Sequence, residues 1–470
     1  MTLVEPRPPQ APTGSHASRP GPPTGTTFAG TALLFLLAGL ALLDRPFGVI
    51  GVPGVPLYIT EIVLVLCVGE LLVRRDPMAG FTRGRWLAPL MVLAFLAWGA
   101  IRLVTSLHYP ILDVVRDSAL AYYALFALIA YALGNVDRRF TPAGLLEVYG
   151  RFVPYMIAIA PFRLIISTIP SLKTLPPIIP GSDVPLLGGH RPGNLGVQVA
   201  IAVVYLASTG RRDRATVAGI VTGVLTILLV ATQSRGGFLA AMAVIGLAML
   251  LWGRRLRFRW AAAAGVLLAL MIVAWGLNLS VSSGQRNFSP TQLFANAESL
   301  VNSSPTSSSQ LSDTENFRSI LWTRVLAATV RTDQLENGWG FGPNLGSSFL
   351  PTHEDKALRN PHNSHLTVLV RLGIVGALIW VVLLLSWFGG VLRLARPPRR
   401  VLGTRIDAVT RLALISGAAV AGMLVNAFFD PTFETPMAAV WLWSGIGIGI
   451  GAVLRSRSGE VVEVDGARGR

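Results

Sequence analysis

Long apolar runs, separated by short segments that often carry arginines, dominate the chain. Runs of about 17–25 residues are long enough to cross ~30 Å of hydrocarbon as helices. They fall at 28–44, 57–73, 86–104, 114–133, 148–168, 194–209, 215–233, 236–252, 260–280, 366–392, 409–428 and 436–454. From Ala215 to Trp252 the sequence is almost continuously apolar. As one helix that stretch would reach roughly 57 Å at ~1.5 Å per residue, too long for one crossing. Its only polar break is Gln233-Ser234-Arg235-Gly236-Gly237, so a tight hairpin is predicted there. The pattern predicts an all-α integral membrane protein of about twelve transmembrane helices with one large external loop that contains short helices. The chain divides accordingly. Residues 1–27, rich in Pro, Gly, Ser and Thr, are predicted to be a disordered cytoplasmic tail. Helices one to nine occupy 28–280, the external loop 281–365 and helices ten to twelve 366–454, and a cytoplasmic tail of 455–470 follows.

Composition excludes whole classes of function. Of 470 residues, 52% are apolar and only 14% charged, against roughly 25% charged in soluble domains, so a water-soluble enzyme and a disordered scaffold are both ruled out. The single cysteine, Cys67, lies in an apolar run and builds neither a disulfide framework nor a cysteine zinc site. A net charge of +16 suggests nucleic acid until the basic residues are placed. They collect in alternate loops: Arg74, Arg75, Arg83 and Arg85; Arg211, Arg212 and Arg214; Arg254, Arg255, Arg257 and Arg259; and the segment from Arg393 to Arg411. By the positive-inside rule these loops and both termini are cytoplasmic, while the Arg235 hairpin and the 281–365 loop face outward. The last outer loop, with Asp430 and Glu434, is acidic. The charge is therefore an orientation signal; the partner is the lipid bilayer, and nucleic acid is set aside.

The external loop holds most of the candidate chemistry. Its first part, Ser282 to Gln310, is Ser/Asn-rich and expected to be flexible. Ser312-Asp313-Thr314-Glu315 has the form of a helix capping box. It precedes an amphipathic run from Phe317, with Leu321, Val325 and Leu326 toward one side. Arg318 and Trp322 are four residues apart and share a helix face, with Arg324 and Arg331 on the exposed one. Gly338-Trp-Gly-Phe-Gly342 lacks the strand-to-helix context of a phosphate-binding glycine motif and is expected to turn the loop back to the membrane. Asn360-Pro361-His362-Asn363-Ser364-His365 then leads into the tenth span. From the residues alone, His362 is either a general base, a task suited to a neutral imidazole with pKa near ~6.5, or an interfacial anchor at a helix start. Arg235 is likewise either a functional cation at membrane depth or an arginine snorkelling to lipid phosphates.

In these motifs the chain resembles the O-antigen ligase and O-antigen polymerase superfamily. His362-Asn363, nine residues, Gly373, two residues, Gly376 matches the pattern His-[Asn/Ser/Gln]-x9-Gly-x2-Gly. Arg318-x3-Trp322, the Gly338–Gly342 loop, Ser234-Arg235-Gly236 and Arg191-Pro-Gly-Asn194 are similar to the motifs that accompany it, in the same order, over roughly 185–380. His365 stands where an aromatic is common, and Arg371 where an acid commonly precedes the glycine pair.

The resemblance implies a GT-C-like helical fold in the bacterial cytoplasmic (inner) membrane. It further implies transfer of a glycan from a polyprenyl diphosphate carrier to an acceptor hydroxyl at the outer face. On that basis His362 is the expected catalytic base. Arg235, Arg318 and Arg191 are the expected diphosphate-binding cations, with Asn363, Trp322, His365 and Asp430 in supporting positions. Preorganised arginines suit a leaving diphosphate, since their planar forks match phosphate oxygens and their charge stabilises the charge that grows there. No cofactor and no metal is expected. The expected partners are a lipid-linked oligosaccharide donor and a glycan, lipid or protein acceptor. Ligase and polymerase remain alternatives. A transporter, favoured by Arg102, Arg116, Arg151 and Arg163 within predicted spans, and a non-catalytic envelope subunit are the readings from other classes.

Overall fold

The computed structural model describes residues 23–52, 57–74, 77–82, 86–168, 177–179, 182, 184–186, 189–211, 213–253, 281–283, 286–288, 309–349, 359–396 and 406–458. Its helices are α1 (Phe28–Leu43), α2 (Ile59–Leu72), α3 (Leu87–Thr105), α4 (Ile111–Tyr122), α5 (Leu125–Val136), α6 (Pro142–Thr168), α7 (Pro192–Ser208), α8 (Arg214–Gln233), α9 (Arg235–Gly253), α10 (Ser309–Arg331), α11 (Ser364–Ala395), α12 (Ala408–Asn426) and α13 (Pro436–Arg457). Several start on side-chain caps: Thr27 accepts from the Gly30 N–H, Asp213 from Thr216, Asn363 from Leu366 and Asp407 from Thr410, each satisfying a donor that a first turn leaves open.

The architecture is that of an all-α membrane protein. Among the described residues seven helices are long and apolar enough to cross a bilayer, and the pair α4–α5, bent by 46°, makes an eighth crossing if read as one span. A helix stands at every predicted span except the ninth, 260–280, which lies outside the described residues, as do 1–22 and 459–470 of the predicted tails. α1, α2 and α7 have 16, 14 and 17 residues, at or below the length of a full crossing. Two details differ from expectation. Val281–Ser283 and Arg286–Phe288 pair as a two-stranded antiparallel ribbon in the segment expected to be flexible. α10 already begins at Ser309, so Ser312 lies inside the helix and not at its cap.

The centre of the bundle is built from α7, α12 and α13, whose side chains are buried almost all round. α5 lies along α13, α8 along α7, and α3 along α11. Large apolar side chains such as Leu250, Leu385, Phe162 and Leu90 remain exposed on the outer helices, as expected where the surrounding solvent is lipid. The C-terminal ends of α1, α3 and α12, the N-terminal ends of α4, α7, α11 and α13, and the α8–α9 hairpin meet at one end of the bundle. α10 docks on that same end.

Candidate active site

The turn before α11 is clamped from three sides. The Trp322 indole N–H donates to the Pro361 carbonyl (2.7 Å), and the His362 N–H donates to Asn360 Oδ1 (3.2 Å). The Ser364 N–H donates to the Ala427 carbonyl (2.8 Å), and the Ser364 hydroxyl bridges the Asp430 carbonyl and the Phe433 N–H, each 3.1 Å away. Held this way, His362 has φ 51, a left-handed conformation uncommon outside glycine and worth noticing where it occurs. Its side chain is half-buried. Asn363 caps α11, its Oδ1 accepting from the Leu366 N–H at 3.0 Å. His365 points into the bundle: Nε2–H donates to the Leu424 carbonyl (2.9 Å), Nδ1 faces the Trp380 N–H (3.4 Å), and the ring stacks on Phe428 with centroids 4.3 Å apart. With both nitrogens engaged, this ring packs the turn's floor.

Two of the expected cations, Arg318 and Arg191, lie within electrostatic reach of Asp430 on the loop beside that turn. Arg318 donates to the Phe429 carbonyl (2.9 Å), so Arg318 and Trp322 grip two neighbouring loops from one face of α10. The Gly236 backbone rests against the Phe429 ring, which seats the Arg235 hairpin on the same loop. Ser234 caps α9 through Gly237 (3.0 Å). A Cβ at Gly237 would lie only 2.7 Å from the Gly193 Cα, so glycine is required for the hairpin to reach the start of α7. There Asp44 accepts from the Arg191 N–H and from Asn194 Nδ2 (3.2 Å), and Asn194 accepts in turn from Asn426 (3.0 Å). Burial raises the Asp430 carboxyl above its ordinary range, against the pull of Arg191 and Arg318 and with a push from Asp44. The N-terminal ends of α7 and α9 meet at Gly193 and Gly237, and those of α11 and α13 at Ser364 and Phe433; a helix N-terminus carries partial positive charge.

A second layer fixes the glycine loop. Gly338, Gly340 and Gly342 all have positive φ, and the loop runs along the broken N-terminal part of α11. Trp339 N–H donates to the Val370 carbonyl (2.8 Å) and Gly340 N–H to that of Arg371 (2.9 Å). α11 breaks at Gly373 (φ 68), where a Cβ would sit 2.1 Å from the Glu336 carbonyl oxygen. Arg371, fully buried, donates to the Gly340 carbonyl (3.1 Å) and pairs with Asp117 (3.1 Å), which also binds Arg359 (3.0 Å) and the Gly342 N–H (3.0 Å). The glycine loop is a docking turn whose amides are committed to the protein. Leu321 and Val325 of α10 pack with Leu345 and Val370 beneath it, whereas Leu326 is exposed.

Asp117, Arg359 and Asp44 were not singled out from the sequence, Asn360 only as part of the run into the tenth span, and Glu434 only as an acid of the last outer loop. The available signal was indirect: a buried arginine inside an apolar helix, Arg371, requires an acid. Glu434 accepts from Asn360 Nδ2 (2.6 Å). Burial pushes its carboxyl up to about 6, with Arg371 opposing and Asp117 adding. Relative to an ordinary value of 4.5, folding therefore takes up a proton. The group's contribution to stability is complete below pH 4.5 and is lost as the pH rises through about 6. Glu434→Gln, neutral throughout, is expected to unfold at a higher temperature than the wild type above that range and at the same temperature below it. A difference that does not change with pH, measured by thermal unfolding in detergent, would contradict this.

Among the described residues no three His, Cys, Asp or Glu side chains come together as a metal-binding group. A cavity of about 1260 Å³ opens at the opposite end of the bundle, between α6, α7 and α8, lined by Tyr205, Ser208 and Arg411 among others. It shares no wall with the His362 turn. Residues 220–381 match the family model described as O-Antigen ligase. That stretch contains Arg235, Arg318, Trp322, the glycine loop, His362, Asn363, His365 and the glycine pair; Arg191, Asp430 and Glu434 lie outside it. No curated protein matches the chain.

Proposed function

We propose that the chain, whose residues 220–381 match the O-Antigen ligase family model, is a glycosyltransferase of the O-antigen ligase/polymerase superfamily working at the outer face of the bacterial cytoplasmic membrane. Its donor is a glycan on a polyprenyl diphosphate; its acceptor is a hydroxyl of a glycan, lipid or protein. The observation that carries this reading is that Arg191 and Arg318 both act on Asp430, in the loop that also holds the His362 turn through Ser364, while the hairpin bearing Arg235 is seated on the same loop through Gly236. In the reaction the acceptor oxygen attacks the anomeric carbon, the bond from that carbon to the diphosphate oxygen breaks, and His362 takes the acceptor's proton. The arginines hold the diphosphate before and during cleavage, and Asp430 is their counter-ion while the site is empty. Both termini are cytoplasmic in this reading, in line with the arginine-rich loops.

The transporter reading loses its main support. Arg102 donates to the Gly338 carbonyl (2.9 Å), Arg163 to the Leu43 carbonyl (3.0 Å), Arg116 pairs with Asp113 (2.9 Å), and Arg151 pairs with Glu147 (2.5 Å). The first ties α3 to the glycine loop, the second ties α6 to the end of α1, and the last two are exposed pairs within a single helix.

The decisive experiment supplies purified protein with a defined polyprenyl diphosphate-linked oligosaccharide and cell-envelope extract. A single new conjugate on a second acceptor is expected of a ligase, and a ladder of lengthened lipid-linked chains of a polymerase. No product of either kind would refute the proposal. Transfer is also expected to persist in excess EDTA, because arginines do the neutralising. Activity lost to EDTA and restored by Mg2+ would overturn that part.

A further inference from the structure

The Pro361–His362 peptide is held at both ends, and only one end is accounted for by the family-like motifs. Trp322 binds its carbonyl (2.7 Å) from α10. Its N–H is bound by Asn360 Oδ1 (3.2 Å), and Asn360 is itself fixed by Glu434 Oε2 (2.6 Å). The polarity of this relay is dictated by chemistry. The peptide N–H can only donate, so the Asn360 amide must turn its oxygen to His362 and its NH2 outward, where an acceptor is needed. Glu434, on the loop before α13, supplies it.

We propose that Asn360 and Glu434 are positioning residues for His362, a bracket that locks the imidazole in the orientation needed to take the acceptor's proton. The backbone of His362 is left-handed (φ 51), a strained state for a non-glycine residue that persists only where its surroundings impose it. An Asx turn across Pro361 imposes it from the N–H side, and Trp322 from the carbonyl side. Without the bracket, the His362 N–H loses its acceptor and His362 φ is held from the carbonyl side alone; relaxation of that φ toward the ordinary negative range re-aims the ring. Glu434 ties this device to the second layer: Arg371 and Asp117 both act on its carboxyl, and both hold the glycine loop. The bracket therefore links the docked external loop to the base. Neither residue touches substrate in this role.

The inference rests on His362 being the base, and the test separates the two. Asn360→Ala removes the relay. The exchange Asn360→Asp with Glu434→Gln rebuilds it with the middle bond reversed: the glutamine amide donates to the aspartate, whose other oxygen still accepts from His362. Total charge is unchanged. With the full-length protein and a lipid diphosphate-linked oligosaccharide, Asn360→Ala is expected to lower kcat by about 10- to 100-fold, the scale of a small misplacement of a catalytic group. KM for the donor and the unfolding temperature should stay near wild type. The exchange should recover kcat to within a few-fold, a coupling that two independent defects would not give. If Asn360→Ala turns over normally, or the exchange is no faster than Asn360→Ala while His362→Ala is inactive, the bracket is wrong and the base stands. If His362→Ala itself turns over normally, the base fails and the bracket with it.

Discussion

His362→Ala is expected to lower the single-turnover rate of glycan transfer about 10²–10⁴-fold, the usual cost of losing a general base, while the donor still binds. The separation follows from where the histidine sits. Its backbone is clamped by Asn360 and its neighbouring carbonyl by Trp322, whereas the cations that would hold a diphosphate stand on α10 (Arg318) and at the starts of α7 and α9 (Arg191 and Arg235). An alanine removes the proton acceptor and leaves those cations in place, so the donor dissociation constant should move by no more than a few-fold. His365→Ala behaves differently. That ring fills the space between the Leu424 carbonyl, Trp380 and Phe428, so its loss creates a cavity and its first effect is a lower unfolding temperature. A His362→Ala protein that turned over like the wild type would remove the residue from the mechanism.

Much of this arrangement was legible in the sequence, for different reasons at different places. Helices are local: an apolar run of sufficient length has no other stable form in lipid, and the break at Ser234 was forced by the length of the run. The bend between α4 and α5 was not readable, because Tyr123 and Ala124 carry no proline or glycine signal. The motif residues were legible because their order matches a pattern; Trp322 reaches the turn before His362 at the Pro361 carbonyl, 39 positions away, and Arg318 reaches the Phe429 carbonyl. The second layer was invisible. Arg371 finds Asp117, and Asn360 finds Glu434, only after helix ends distant in the chain have been brought together. Single polar residues scattered among apolar ones carry no pairing information until then. Arg371 shows the point most clearly: it stood out as a departure from an acidic position, and it is a buried strut for the glycine loop.

Arg318→Ala and Arg235→Ala are expected to weaken donor binding and slow transfer together, which His362→Ala is not. A diphosphate is already charged when it binds, and it gains charge as the glycosidic bond breaks, so a cation beside it contributes to both states and more to the second. In the structure described, Arg318 spends one guanidinium nitrogen on the Phe429 carbonyl (2.9 Å), which leaves other donors of its fork for phosphate oxygens. Asp430 lies close enough for both Arg318 and Arg191 to act on its carboxyl. Removing Arg318 therefore also leaves Asp430 facing the incoming diphosphate with less compensation, and the donor dissociation constant should rise by at least ~10-fold, the loss of one charge-assisted hydrogen bond. Lysine at either position keeps the charge and loses the planar fork, so partial recovery is expected. Asp430→Asn in the Arg318→Ala background should recover part of the binding, since it removes the repulsion that the arginine offset. Donor affinity and single-turnover rate, with unfolding temperature as a control, distinguish these outcomes. If both arginine variants bind and react like the wild type, the diphosphate is held elsewhere, and these cations serve only the packing of the loops.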